Sequence, residues 1–254
     1  MNKTNPTTTP LGKDLLIGTR PLIEAIESGK QIDKVLLQKG LKGNVSQELF
    51  PLLRKYNIQQ QSVPIEKLNR ITKKNHQGVI AFVSPVDFVS VEEVIARAYE
   101  SGKDPLLLIL DRITDVRNFG AIARTAECTG VQGIIIPSRG SAPVNFDALK
   151  TSAGALNHIS ICKEEKLKDS IEYLKNSGLS IVACSEKGKE IAYNSNLKGP
   201  LAIIMGSEEN GVSPEYLKMC DKVVQLPMMG KIGSLNVSVA AGALLFEVIR
   251  QNNY

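Results

Sequence analysis

Histidine and cysteine are scarce: of 254 residues, two are His and four are Cys. Cys128, Cys162, Cys184 and Cys220 lie 34, 22 and 36 positions apart, with no Cys-x-x-Cys pair and only His76 and His158 to assist them. This spacing excludes the usual zinc sets and argues against a disulfide framework. No metal is expected, and the four cysteines read as reduced thiols packed as small apolar groups. Long apolar runs are also missing. Runs such as residues 106–110 and 243–246 fall far short of the roughly 18 to 20 residues that a membrane-spanning helix needs. Residues 1–10 are rich in Thr, Asn and Pro and hold no apolar stretch, unlike a signal peptide. The expectation is a frayed tail on a cytoplasmic protein with no membrane partner. Neither GxxxxGK[ST] nor HExxH nor GxSxG occurs, and no GxGxxG follows a strand, which counts against P-loop, Rossmann, zincin and α/β-hydrolase chemistry. With one histidine in the larger part of the chain, a His-based triad has little support.

What is present is ordinary for a folded protein: 43% hydrophobic and 22% charged residues. The length suits a small module beside a larger one. Residues 1–84 carry 13 Lys and Arg against 6 Asp and Glu, whereas residues 85–254 carry 18 against 20, so the formal net charge of +5 is a local basic excess. Lys67, Arg70, Lys73, Lys74 and His76 crowd one stretch, with no acid between Glu66 and Asp87. Such a cluster suits contact with phosphates. A solvated helix face is the plainer alternative.

Helix signals begin at Thr19, a capping residue followed by Pro21, and stop at Gly29. Residues 34–37 are a short apolar run, 45–56 and 65–71 have helical spacing, and 78–84 read as a strand. Residues 1–84 thus predict a small α/β module. Ser90 and Glu93 form a capping box for a helix ending near Gly102, so residues 85–104 are expected to join the two modules, with a boundary near residue 100. From Pro105, apolar runs at 106–110, 133–136, 159–162, 179–184, 201–205 and 223–226 alternate with helical segments and lack a polar face. Strands buried on both faces imply a parallel sheet covered by helices. In such sheets ligands collect beyond the carboxyl ends of the strands.

Three loops there carry more polar residues than a connection needs. Residues 111–124 place Asn118 at a helix entrance and Arg124 further inside, among Ile122, Ala123 and Ala126. Plain readings exist: Asn118 as an N-cap, and Arg124 as the exposed partner of Glu127. Residues 206–214 combine Gly206, which permits close approach to the backbone, Gly211, which permits positive φ, and Glu208. A turn leading into a helix capped by Ser213 explains the same residues. Residues 226–236 open a helix that runs through Arg250, with Ser234, Asn236 and Ser238 at its start and apolar residues nearly all round it. That helix must pack on the sheet or on a second subunit, and its first amides suit an anion. Capping and close packing are the simpler roles for its serines and its small residues.

Taken in order, Asn118-Phe-Gly-Ala-Ile-Ala-Arg124, Gly206-Ser-Glu-Glu-Asn-Gly211 and Pro227-Met-Met-Gly230 followed by Ser234-Leu-Asn-Val-Ser238 resemble the three signature motifs of the SpoU family of RNA ribose 2′-O-methyltransferases. The likeness covers roughly residues 105–251. Ile17-Gly-Thr-Arg-Pro-Leu-Ile-Glu-Ala-Ile26 and His76-Gln-Gly-Val79 resemble the small L7Ae/L30e-like RNA-binding domain frequent in that family. The layout is similar to the RlmB/TrmH-like branch. The resemblance implies an α/β catalytic domain at 105–254 with a trefoil knot, a homodimer, and S-adenosyl-L-methionine held by Gly206, Leu226 and Leu235, with Met205, Ser207 and Pro227 nearby. It implies catalysis by Arg124, Asn118, Glu208, Ser234 and Asn236, and RNA contacts from Arg20 together with the basic cluster. Glu209 stands where the commoner motif has glycine. The expected reaction is methylation of a ribose 2′-hydroxyl, a guanosine, in 23S ribosomal RNA. Transfer RNA is the alternative substrate, and a catalytically silent RNA-binding or ribosome-assembly factor is the alternative of another class.

Overall fold

The computed structural model describes residues 15–41 and 44–253; the tail expected at residues 1–10 lies outside them. The chain divides into two compact units, Met1–Pro85 and Val86–Tyr254.

In the first unit, strands β1 (Leu15–Ile17), β2 (Ile32–Gln38), β3 (Gln60–Val63) and β4 (Val79–Val83) form a sheet in the order β1-β4-β2-β3. Only the β2/β3 pair is parallel. Alternation in β2 and β4 divides their side chains between two cores, as a period of two requires. Val35, Leu37, Val79 and Ala81 face helices α1 (Thr19–Glu27) and α2 (Asn44–Lys55), while Leu36 and Ile80 pack with Leu68 of α3 (Ile65–Ile71). Thr19 is not the cap expected of it. It is the first helical residue and buried, and the cap position belongs to Gly18 at φ 94, with no side-chain cap bond. The edge strands β1 and β3 escaped the sequence reading. β3 is Gln-Gln-Ser-Val with a single buried side chain, so it shows no apolar signal.

The second unit is a seven-stranded parallel sheet with strand order β7-β6-β5-β10-β8-β11-β9. Its strands are β5 (Leu106–Asp111), β6 (Gly133–Pro137), β7 (Ser160–Glu164), β8 (Ser180–Cys184), β9 (Glu190–Ile191), β10 (Leu201–Gly206) and β11 (Lys222–Gln225). Six coincide with the apolar runs; β9 is a two-residue edge without one. Helices α5 (Val116–Cys128), α6 (Phe146–Thr151) and α9 (Val237–Asn253) cover one face, and α4 (Val91–Glu100), α7 (Leu167–Asn176) and α8 (Pro214–Leu217) the other.

Residues 86–104 belong to this unit instead of joining two modules. Ser90 caps α4 by accepting from the Glu93 amide, and Val91, Val94 and Ile95 are buried against the sheet. Val89 N donates to Ile161 O at 3.0 Å, which pins the preceding segment to β7. The amphipathic helix had one face to bury, and the nearest apolar surface is the β6 region, where Gly133 leaves room for Val94. Among the described residues no helix is long and apolar enough to cross a membrane.

The cysteines depart in part from expectation. Cys162 is buried, Cys184 and Cys220 are half-buried, and Cys128 is exposed instead of packed. Burial pushes the Cys162 thiol up to about 12 and those of Cys184 and Cys220 up to about 11, which keeps all three protonated.

A candidate active site at the carboxyl edge of the parallel sheet

β5 and β10 are neighbours at the centre of the sheet, where connections leave in opposite directions, so their carboxyl ends open onto a natural crevice. Gly206 lies opposite Asp111 in their register. Beyond Gly206 the chain folds straight back: Ser207 and Gly211 bridge, and the Gly211 amide donates to Ser207 O at 2.8 Å. A Cβ on Gly206 would overlap the Gly211 carbonyl carbon and the Val212 nitrogen, so only glycine fits. The left-handed residue of the turn is Gly211, at φ 62. Glu209 takes no such conformation, so its replacement of glycine leaves the turn unstrained.

That turn lifts Glu208 toward the entrance of α5 and the start of α9. Glu208 Oε1 accepts from Asn118 Nδ2 at 3.0 Å and from Asn236 Nδ2 at 2.8 Å. Asn236 Nδ2 also donates to Asn118 Oδ1 at 3.0 Å, which closes a triangle. Asn236 Oδ1 in turn accepts from the amide and hydroxyl of Ser238, so the start of α9 holds the side chain in place. Asn118 is not the cap of α5; that role belongs to Asp115, whose carboxylate accepts from the amides of Arg117 and Asn118.

Beside the triangle lies a cavity of about 580 Å³, within the range of small-molecule sites. Met205, Leu226, Leu235 and Val237 give it an apolar wall, and Ser207, Glu208, Ser234 and Asn236 line its polar side, with Gly206 between. An apolar wall, exposed backbone and a few polar groups suit an adenine and a short charged chain. Of the cofactor candidates, Pro227 alone does not line the cavity, although Leu226 and Met228 on either side of it do.

Arg124 is not brought into the triangle. It is exposed on α5 and has no hydrogen-bonding or ionic partner among the described residues, Glu127 included. Next to it, Thr125 packs against Gly242 of α9. Val239 and Phe246, which share a face of α9 with Gly242, are 54% and 58% exposed. Met229 and Ile232 in the preceding loop are also exposed. The opposite face of α9 buries Ala241, Leu244, Leu245 and Val248 on the sheet.

In the first unit, Arg20, Lys67, Arg70, Lys73 and Lys74 are exposed. His76 corrects the expectation of a phosphate contact. It is buried, its Nε2 donates to Asn69 Oδ1 at 2.9 Å, and its Nδ1 accepts from the Gly78 amide at 3.0 Å. The ring therefore holds the turn before β4. Missing from the sequence reading was the buried Asp111, which binds Arg112 and Ser213. A carboxylate ending an otherwise apolar strand was the available signal.

Residues 105–246 match the SpoU rRNA methylase family, and residues 15–89 match its RNA 2′-O ribose methyltransferase substrate-binding domain. The chain belongs to the SpoU family. A Bacillus subtilis protein assigned by name to the TrmH family of tRNA/rRNA methyltransferases is 34% identical over 94% of this chain and 96% of its own. The SpoU methyltransferase AviRb of Streptomyces viridochromogenes, solved with AdoMet, superposes with a TM-score of 0.59 at 26% identity, over 93% of this chain and 89% of its own. The A. aeolicus TrmH/SpoU tRNA modifying enzyme superposes at 0.54 with 30% identity, over 63% and 83%. This SpoU protein is an S-adenosylmethionine-dependent RNA methyltransferase, with a substrate-binding unit ahead of its catalytic unit.

Proposed function

We propose that this SpoU enzyme methylates a ribose 2′-hydroxyl, on guanosine, in 23S ribosomal RNA, using the cavity beside the Asn118–Glu208–Asn236 triangle. The observation that carries the reading is the triangle itself: three polar side chains, from the first turn of α5, the turn after β10 and the entrance of α9, share hydrogen bonds beside the cavity. The matched substrate-binding domain supports the 2′-oxygen as acceptor. Ribosomal RNA as substrate is supported by the description of the family that residues 105–246 match, SpoU rRNA methylase. Transfer RNA is the second reading.

S-adenosylmethionine supplies an electrophilic methyl group on a good leaving group, so the protein has to align the hydroxyl, assist loss of its proton and exclude competing water. Glu208 Oε1 is committed to the two amides, while Oε2 has no partner among the described residues and is available to a ribose hydroxyl. Ser234 lines the same polar side. The Arg124 guanidinium offers hydrogen-bond donors and no acceptor, so its role is to stabilise the developing alkoxide. As it lies outside the triangle of its own chain, next to the exposed α9 face, it acts at the site of a second copy. The apolar residues Met229, Ile232, Val239 and Phe246 are the surface that a homodimer would bury. Arg20, Lys67, Arg70, Lys73 and Lys74 grip RNA phosphates, and the three loops thread as the family's trefoil knot.

Transfer of labelled methyl from S-adenosylmethionine to purified ribosomal and transfer RNA, followed by mapping of the labelled nucleotide, tests the reading. Label on one guanosine 2′-oxygen of 23S RNA is the expected result. Label on transfer RNA would move the substrate, and label on a base would overturn the triangle's role.

A further inference from the structure

We propose that Arg112 is a positioning residue for methyl transfer: it clamps the turn at residues 207–211 and so sets Glu208. The proposal rests on the functional reading of that site. Asp111 ends β5 with its side chain only 3% exposed, and a carboxylate so far from water needs its lone pairs filled. Its Oδ2 accepts from the Ser213 amide at 2.7 Å and the Ser213 hydroxyl at 2.6 Å, beyond the turn. Arg112 approaches it in a fork, Nε to Oδ1 at 2.9 Å and Nη2 to Oδ2 at 3.1 Å, a geometry available to a guanidinium and not to an ammonium. The same Nη2 donates to Gly211 O at 3.2 Å.

Both ends of the turn are thereby tied to one buried charge. Its start, Gly206, sits in register with Asp111, and its end is held through Gly211 O and Ser213. Glu208 lies between these anchors, and its reach to Asn118 and Asn236 depends on them. Arg112 has φ 59, in the left-handed region that favours glycine. A glycine would hold this backbone with less strain, so what the arginine contributes is its side chain. Hydrogen bonding to Asp111 raises the arginine's pKa above its ordinary value.

The test uses full-length Arg112→Gly, Arg112→Lys and Ser213→Ala proteins. It compares kcat and KM for S-adenosylmethionine and RNA, together with hydrogen exchange of amides 207–213. Arg112→Gly relaxes the backbone, so its fold should persist. Ser213→Ala, which leaves the backbone alone, carries the test if it does not. The clamp predicts faster exchange in the turn, kcat lower by about tenfold and both KM values within about twofold. Arg112→Lys should rescue part of the loss, and Arg112→Gly with Ser213→Ala should be less than additive because both act through Asp111. Unchanged exchange with wild-type kcat would overturn the proposal. So would a rise confined to the RNA KM, which would make Arg112 an RNA contact. If the unaltered enzyme transferred no methyl to any RNA, the functional reading would fail. The exchange data would still decide the clamp, faster exchange supporting it and unchanged exchange overturning it.

Discussion

Gly206 and Arg124 mark the two ways a single residue can matter to this enzyme. At Gly206 any side chain collides with backbone, which cannot step aside as a flexible side chain can. Gly206→Ala should therefore lower stability by about 1–3 kcal/mol, the usual cost of overpacking, and abolish S-adenosylmethionine binding in a calorimetric titration. Wild-type affinity would show that the turn can move. Arg124 is the opposite case, exposed and without a partner among the described residues. Arg124→Ala should leave the melting temperature unchanged and cut kcat by roughly 10²-fold, the scale of losing one donor to a developing oxyanion. Its residue type and setting were legible, an arginine among small apolar residues, but its lack of a partner was not. His76 shows the converse: it sits within a run of cations in sequence, yet its ring is buried and holds a turn.

Elements were legible in proportion to how regularly they bury themselves. The six apolar runs became strands because each is covered on both faces, whereas β3 and β9 at sheet edges carry no such pattern. α9 shows an electrostatic dependence at its carboxyl end. Glu247 is buried and accepts from Arg250 Nη2 at 2.8 Å, Arg250 Nε at 2.9 Å and Gln251 Nε2 at 2.7 Å. Hydrogen bonding to Arg250 outweighs burial and holds its pKa below the ordinary carboxylate value. A depressed pKa contributes stability that is fully present above the unfolded value and lost as pH falls through the folded one. Glu247→Gln should therefore melt below wild type near neutral pH, and the gap should close as the pH falls below the ordinary carboxylate value and through the lowered one. A gap independent of pH would assign the loss to packing.

For the whole molecule, the proposed division of labour follows the charge, with the basic first unit gripping RNA and the second doing the chemistry. Replacing Lys67, Arg70, Lys73 and Lys74 by Gln should weaken binding to all RNAs alike and flatten the salt dependence of log K by roughly 3, if all four touch phosphate. A loss confined to one RNA sequence would mean base reading instead. Mixing two variant chains tests the proposed dimer and its shared site: Arg124→Ala and Glu208→Gln chains, each strongly impaired alone, should recover activity when combined. No recovery would place Arg124 in its own subunit's site.

The sequence by itself determined the parallel sheet, the basic first unit and the three polar loops of the candidate site. Apolar periodicity, charge counts and motif order are all local properties of the chain. Tertiary structure decided what those loops do together. Asn118 and Glu208 are 90 positions apart, and Asn118 and Asn236 are 118 apart, yet all three share hydrogen bonds. They meet because a parallel sheet gathers the carboxyl ends of distant strands at one edge. The same gathering brought Asp111 and Arg112 to Ser213, a contact that no spacing along the chain announces.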